Sequence, residues 1–207
     1  MTAAPPPRLV RRYGLAQRVL HWIGVGSFLL LLLSGLALFH PLGALAAGGY
    51  SRVLHRLAAV PFAVLPLVYA VLLPAEARAL IAESLTYGPR ERAWLKRLPA
   101  YVMGRTHGLP PQGRLNAGQK LHHAATFFMF ATVSGSGAVL WLAKGHLGAA
   151  GLAAAAIVHD LSMLGLTVLM VGHVYFTFLY GALPAMWTGW VTEEYARMEH
   201  ADWTDLR

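Results

Sequence analysis

The apolar run from Ala153 to Tyr180, AAAAIVHDLSMLGLTVLMVGHVYFTFLY, carries two histidines, His159 and His173. A bilayer's hydrocarbon core is crossed by about 20 helical residues at 1.5 Å each, so this run is long enough to span. An ionisable side chain at such depth is costly and normally has a partner and a task. The two histidines are fourteen residues apart. At about 100° per residue they return to nearly one face, about 21 Å apart along the axis. One helix therefore offers one imidazole near each membrane surface.

The rest of the chain has the same character. Of its 207 residues 57% are hydrophobic and 13% charged, with a mean hydropathy of +0.50, which is the composition of an integral membrane protein. There is no cysteine. Disulfides, thiolate metal sites, iron–sulfur ligation and covalent c-type haem attachment are thereby excluded, and histidine is the strong ligand that remains. The net charge of +8 is spread over short flanks beside apolar runs, which indicates membrane topology and not nucleic acid.

In chain order, a Pro-rich basic start, PPPRLVRRYGLAQR, leads into an apolar run over 19–39. Its full spanning length predicts a mature helix and not a signal peptide. The segment 40–50 reads as a Pro/Gly loop. A second run covers 52–73, with a kink expected at Pro61 and Pro66. The stretch 74–115 is too polar to span, and its first part suits a short amphipathic helix on the membrane. A third run covers 116–144; Ser134, Gly135, Ser136 and Gly137 in it permit close approach of a helix or a flat cofactor. The fourth run, 153–180, is followed by a polar tail, 185–207, with Trp187, Trp190 and Trp203 as candidate interfacial anchors. The expectation is a single all-α membrane domain over 1–207 with four transmembrane helices.

Basic residues before the first run (Arg8, Arg11, Arg12, Arg18) and between the second and third (Arg90, Arg92, Lys96, Arg97, Arg105, Arg114, Lys120) outnumber those in the other two loops. The termini and the 74–115 loop are then cytoplasmic. That orientation sorts the histidines by depth. His21 and His173 fall on the cytoplasmic side, His55 and His159 on the outer side. Two facing imidazoles with no sulfur ligand suit a six-coordinate b-type haem, which passes electrons. His122 and His123, at the start of the third run, compete with His21 for the inner haem. His40, His107, His146 and His200 read as solvated.

The residues also resemble a known family, the cytochrome b (gamma) subunits of membrane-bound formate dehydrogenases of the formate dehydrogenase-N type. The resemblance covers nearly the whole length. It rests on His21-Trp22, on Ser34-Gly35 followed by Phe39 and Pro41, and on Arg52-Val53-Leu54-His55. It rests also on Leu115-Asn116-Ala117-Gly118-Gln119-Lys120 and on the spacing of His159 and His173.

It implies a four-helix bundle with two haem b groups, His21 and His173 on the cytoplasmic one and His55 and His159 on the periplasmic one. Asn116, Gly118 and Gln119 would line a menaquinone or ubiquinone pocket; Asn116 also suits a helix N-cap. Arg56 stands where the family has Pro, and Arg52 and Arg56 are expected to pair with outer-haem propionates. Asp160, beside His159, has no role in this scheme.

The implied partners are an iron–sulfur (beta) subunit, a molybdenum or tungsten (alpha) subunit, quinone and the lipid bilayer, with a higher oligomer of the complex compatible. The chain would be a non-catalytic electron-transfer subunit in a bacterial inner membrane. The alternatives are the cytochrome b of a hydrogenase or of a thiosulfate or polysulfide reductase, and a haem-free transporter with relay histidines.

Overall fold

The structure is a computed structural model that describes residues 7–39 and 49–203. The proposed loop over 40–48, with His40 and Pro41, lies outside the described residues. Among the described residues four helices are long and apolar enough to cross a membrane: α1 (Leu15–Phe39), α2 (Tyr50–Leu72), α6 (Ala117–Leu142) and α7 (Ala149–Leu179). Their bounds agree with the four apolar runs to within four residues. Pro61 and Pro66 both lie inside the one helix α2. Internal proline is tolerated in a spanning helix where neighbours supply the lost hydrogen bonds.

Proline also punctuates the shorter elements. Helix α3 (Pro74–Leu85) starts on one, and α4 (Pro89–Leu95) and α5 (Leu98–Val102) carry one in their first turn, where no amide is needed. The segment read as a polar tail is folded. It forms α8 (Leu183–Thr188), closed by Gly189 at φ 89°, then a strand and α9 (Glu193–Glu199), capped by Thr192 Oγ1 accepting from the Tyr195 amide. Strand β1 (Leu9–Arg11) pairs antiparallel with β2 (Trp190–Thr192), Val10 opposite Val191.

The chain divides into two compact units. One comprises residues 16–78 and 130–164, the other 1–15, 79–129 and 165–207. In the first, Phe62 packs against Phe28 and Phe130 at ring-centroid distances of 6.4 and 5.1 Å. Its buried polar residues are largely serines: Ser34 and Ser136 donate to the carbonyls of Leu30 and Thr132 in their own helices, both at 2.6 Å. A serine satisfied within its own helix is inexpensive in an apolar surround. Leucines and valines such as Leu33, Leu57, Val71 and Leu161 point outward, as a lipid-facing surface requires.

The second unit is built on two aromatic clusters. Trp94, Tyr101 and Ala117 pack with Phe176 and Tyr180. Ala185, Val191, Ala196 and Trp203 pack with Val10, Tyr13 and Tyr195. Trp203, expected as an interfacial anchor, is buried under the Arg12 guanidinium, whose Cζ is 4.8 Å from the ring centroid. His200, expected to be solvated, is 0% exposed and bonds through Nδ1 to the Gly113 carbonyl at 2.9 Å. Burial, helped by the Arg12 charge, pushes its pKa down to about 3.

Candidate functional site

His55 projects from α2 and His159 from α7, both within the first unit, and their ring centroids are 6.2 Å apart with planes 69° to one another. Two imidazoles on opposite sides of one metal ion, each about 2.0–2.1 Å from it, would put their centroids about 6.4 Å apart. Perpendicular planes are compatible with that, because both contain the metal–nitrogen axis.

The hydrogen bonds determine which nitrogen is available. His159 Nδ1 is 3.0 Å from the Val133 carbonyl. A carbonyl only accepts, so Nδ1 carries the hydrogen and Nε2 the lone pair. His55 Nδ1 is 2.9 Å from Ser34 Oγ, whose own hydrogen already goes to Leu30, so the same tautomer follows. A metal-bound histidine commonly donates its second ring N–H in this way, which fixes the ring and strengthens the ligand.

A Ser-Gly step seats each ring. Ser34-Gly35 on α1 faces His55, and Ser136-Gly137 on α6 faces His159. Ser136 Oγ is 3.3 Å from His159 Nδ1. A Cβ added at Gly35 would lie 3.4 Å from His55 Cε1, and one at Gly137 only 3.0 Å from His159 Cε1. This pairing of steps was not read from the sequence, where the small residues of α6 suggested only close approach. Its signal was present: the dipeptide Ser-Gly occurs at both places.

Arg56 leans on Trp141, its Cζ 5.6 Å from the ring centroid, and Arg52 is exposed on the same helix. Asp160 is exposed, and no hydrogen bond or ion pair holds it among the described residues.

The other predicted residues divide between the two units. His21, in the first, lies edge-on to Trp22 at 5.4 Å. His173, in the second, stacks on His122 at 5.4 Å and 19°, while His123 Nδ1 is 3.1 Å from Ser84 Oγ. Asn116 caps α6. Its Oδ1 accepts from the Gln119 amide at 2.9 Å, and Gln119 Oε1 accepts from the Asn116 amide at 3.2 Å, a reciprocal capping box. Asn116 Nδ2 donates to Glu199 Oε2 at 2.9 Å. Gly118 lets Trp94 approach, since a Cβ there would lie 2.8 Å from the indole. Lys120 is paired with Glu91 at 2.6 Å. Burial works to raise the Glu91 carboxyl, and the hydrogen bonds from Lys120 and the Gly88 amide outweigh it, holding it below the ordinary range.

Comparison with known proteins gives two matches. The family described as prokaryotic cytochrome b561 matches residues 12–189. The formate dehydrogenase cytochrome b556 subunit of Haemophilus influenzae is 24% identical over 200 residues, which are 93% of this chain and 81% of that protein.

Proposed function

This chain belongs to the prokaryotic cytochrome b561 family, and we propose that it is the di-haem membrane subunit of a formate dehydrogenase complex. Family membership makes it a haem b protein of a bacterial membrane, crossing it several times. The residues present fit that group: imidazoles with Nε2 lone pairs, no thiolate, and glycines where a ring must come close. Haem held by these imidazoles would supply a one-electron redox centre.

The observation that carries the reading is the His55–His159 pair, at 6.2 Å with both Nδ1 atoms engaged. In our reading these two hold the outer haem and His21 with His173 hold the inner one. The second pairing rests on the sequence, that is on the fourteen-residue interval and the resemblance. His122, stacked on His173, braces that ring, and His123 is occupied with Ser84. Arg52 and Arg56, one turn apart on α2, offer cations to the outer propionates, with Arg56 held by Trp141.

The termini are cytoplasmic by the distribution of lysine and arginine. Haems held by His55 with His159 and by His21 with His173 would supply one-electron centres between periplasmic iron–sulfur and molybdenum or tungsten subunits and a menaquinone or ubiquinone site near Asn116, Gly118 and Gln119. Each electron moving inward works against about 2.3 kcal/mol per 100 mV, so the redox reaction charges the inner membrane. Asn116 is 1% exposed and engaged in its cap and with Glu199; its part in the quinone site is to shape the start of α6.

The test is a reduced-minus-oxidised absorption spectrum of the purified chain with its haem content. We expect b-type bands and two haems per chain, with one lost in His55→Ala and in His159→Ala. Bands undiminished in both variants would overturn the pairing, and no b-type bands would overturn the function.

A further inference from the structure

Glu199, the last residue of α9, is a buried carboxyl outside the electron path. It is 5% exposed. Its Oε2 accepts from the Tyr101 hydroxyl at 2.8 Å and from Asn116 Nδ2 at 2.9 Å. Its Oε1 is buried without a hydrogen-bond partner among the described residues. Beside it lies a cavity of about 260 Å³, lined by Glu199 itself with Trp94, Pro111, Gln112, Arg197 and Met198, which has room for water.

No ion pair holds the Glu199 carboxylate among the described residues. Arg12, after β1, acts on it at a distance, but the Arg12 guanidinium donates to the Arg114 carbonyl and lies over Trp203. Arg197, on the same helix, is paired with Glu193. Tyr101 from α5, Tyr180 after α7, and Tyr195 on α9 are neutral hydroxyls, and His200 is neutral. Burial pushes the Glu199 carboxyl up, as expected for an acid with no ion-pair partner. In the neutral acid the carbonyl oxygen is Oε2, which receives both hydrogen bonds. The hydroxyl is then Oε1, the atom without a hydrogen-bond partner among the described residues.

We propose that Glu199 is the proton-loading group of this chain, taking a proton from water in the cavity and supplying it to the quinone reduced at the start of α6. The proposal rests on the quinone reading above. Reduction of a quinone to a quinol takes two electrons, delivered from the reduced haems, and two protons, forming two O–H bonds. Glu199 gives those two protons in turn, each time breaking its own O–H bond, and each time the resulting carboxylate is reprotonated by a proton relayed from bulk solvent through water in the cavity. Asn116 and Tyr101 hold the carboxyl in either state, and Asn116 joins it to the cap of α6.

The decisive variant is Glu199→Gln, which keeps an oxygen for Tyr101 and Asn116 and removes only the titrating proton. In the intact complex, haem content and haem reduction by dithionite should be unchanged. Quinol formation with a short-chain quinone should fall about 100-fold or more, the smaller end of general-acid contributions, and lose its pH dependence; Glu199→Asp should restore part of both. In the redox-induced infrared difference spectrum, a protonated-carboxyl band of the parent should vanish in Glu199→Gln. An unchanged quinol rate and pH profile, or a band that persists in the variant or is absent from the parent, would overturn the assignment of Glu199. Parent haems that no quinone re-oxidises would overturn the quinone reading, and with it the destination of the proton.

Discussion

Ser34 Oγ stands 2.9 Å from His55 Nδ1 and sends its own hydrogen to the Leu30 carbonyl. The serine therefore accepts from the imidazole, whereas Ser136, at 3.3 Å from His159 Nδ1, is a second and more distant acceptor beside the Val133 carbonyl at 3.0 Å. Loss of such an acceptor weakens a ligand without removing it, typically by 10–100-fold in affinity. Ser34→Ala and Ser136→Ala should each keep the outer haem at high haem concentration, raise its midpoint potential, and alter its low-spin electron paramagnetic resonance signal. A redox titration of the two variants checks this; potentials equal to the parent's would remove the serines from the site.

The two glycines differ in a testable way. A Cβ at Gly35 would make ordinary contact with His55 at 3.4 Å, whereas one at Gly137 would press on His159 at 3.0 Å. Gly35→Ala should retain haem, and Gly137→Ala should lower its occupancy, as measured by haem-to-protein ratio.

Gly118 has a separate role. Trp94 is 2% exposed and has no room to retreat from a Cβ at 2.8 Å. Gly118→Ala should cost about 1–3 kcal/mol through overpacking, seen as a lower Tm, with the b-type spectrum intact.

Asp160 is next to a proposed ligand in sequence, but its side chain is exposed on α7 and makes no polar contact among the described residues. Asp160→Ala should leave haem content and quinol formation unchanged. A drop in either would connect this carboxylate to the redox path.

His200 gives the second unit an acid sensitivity. Its folded pKa is about 3, against about 6.5 in an unfolded chain. The associated stability is fully present above about pH 6.5 and is lost as pH falls from there toward 3, because the unfolded chain binds the proton and the buried ring does not. Thermal unfolding followed between about pH 7 and pH 4 should show a smaller decline in His200→Gln than in the parent.

What the sequence reveals follows from how local each signal is. The four long apolar helices are continuous runs, and the sequence reading paired His55 with His159, whose ring centroids lie 6.2 Å apart. The start of α7 was misplaced by four residues because Ala149, Ala150 and Gly151 read as loop until the helix is seen. The Ser-Gly seats stayed hidden because a serine bonded to its own helix looks like any small packing residue. Trp203 and His200 were misread for a different reason. Their partners, Arg12 and Gly113, lie far away in sequence, and no periodicity in 185–207 marks an inward face. Asn116 shows both sides: its cap is a local pattern and was legible, whereas its bond to Glu199 is not local.

The ribbon formed by Leu9–Arg11 and Trp190–Thr192 has a consequence for biogenesis. A ribosome delivers the first strand before the four long helices and the second only after them, so the two cannot pair until those helices have been made. Contacts this distant in sequence form slowly. The Glu199 bond to Asn116 depends on the segment that directly follows the ribbon, so the start of α6 is completed only after α9 has been made. A chain stopped before Trp190 would hold its spanning helices and the His55–His159 pair, yet lack the carboxyl beside Asn116.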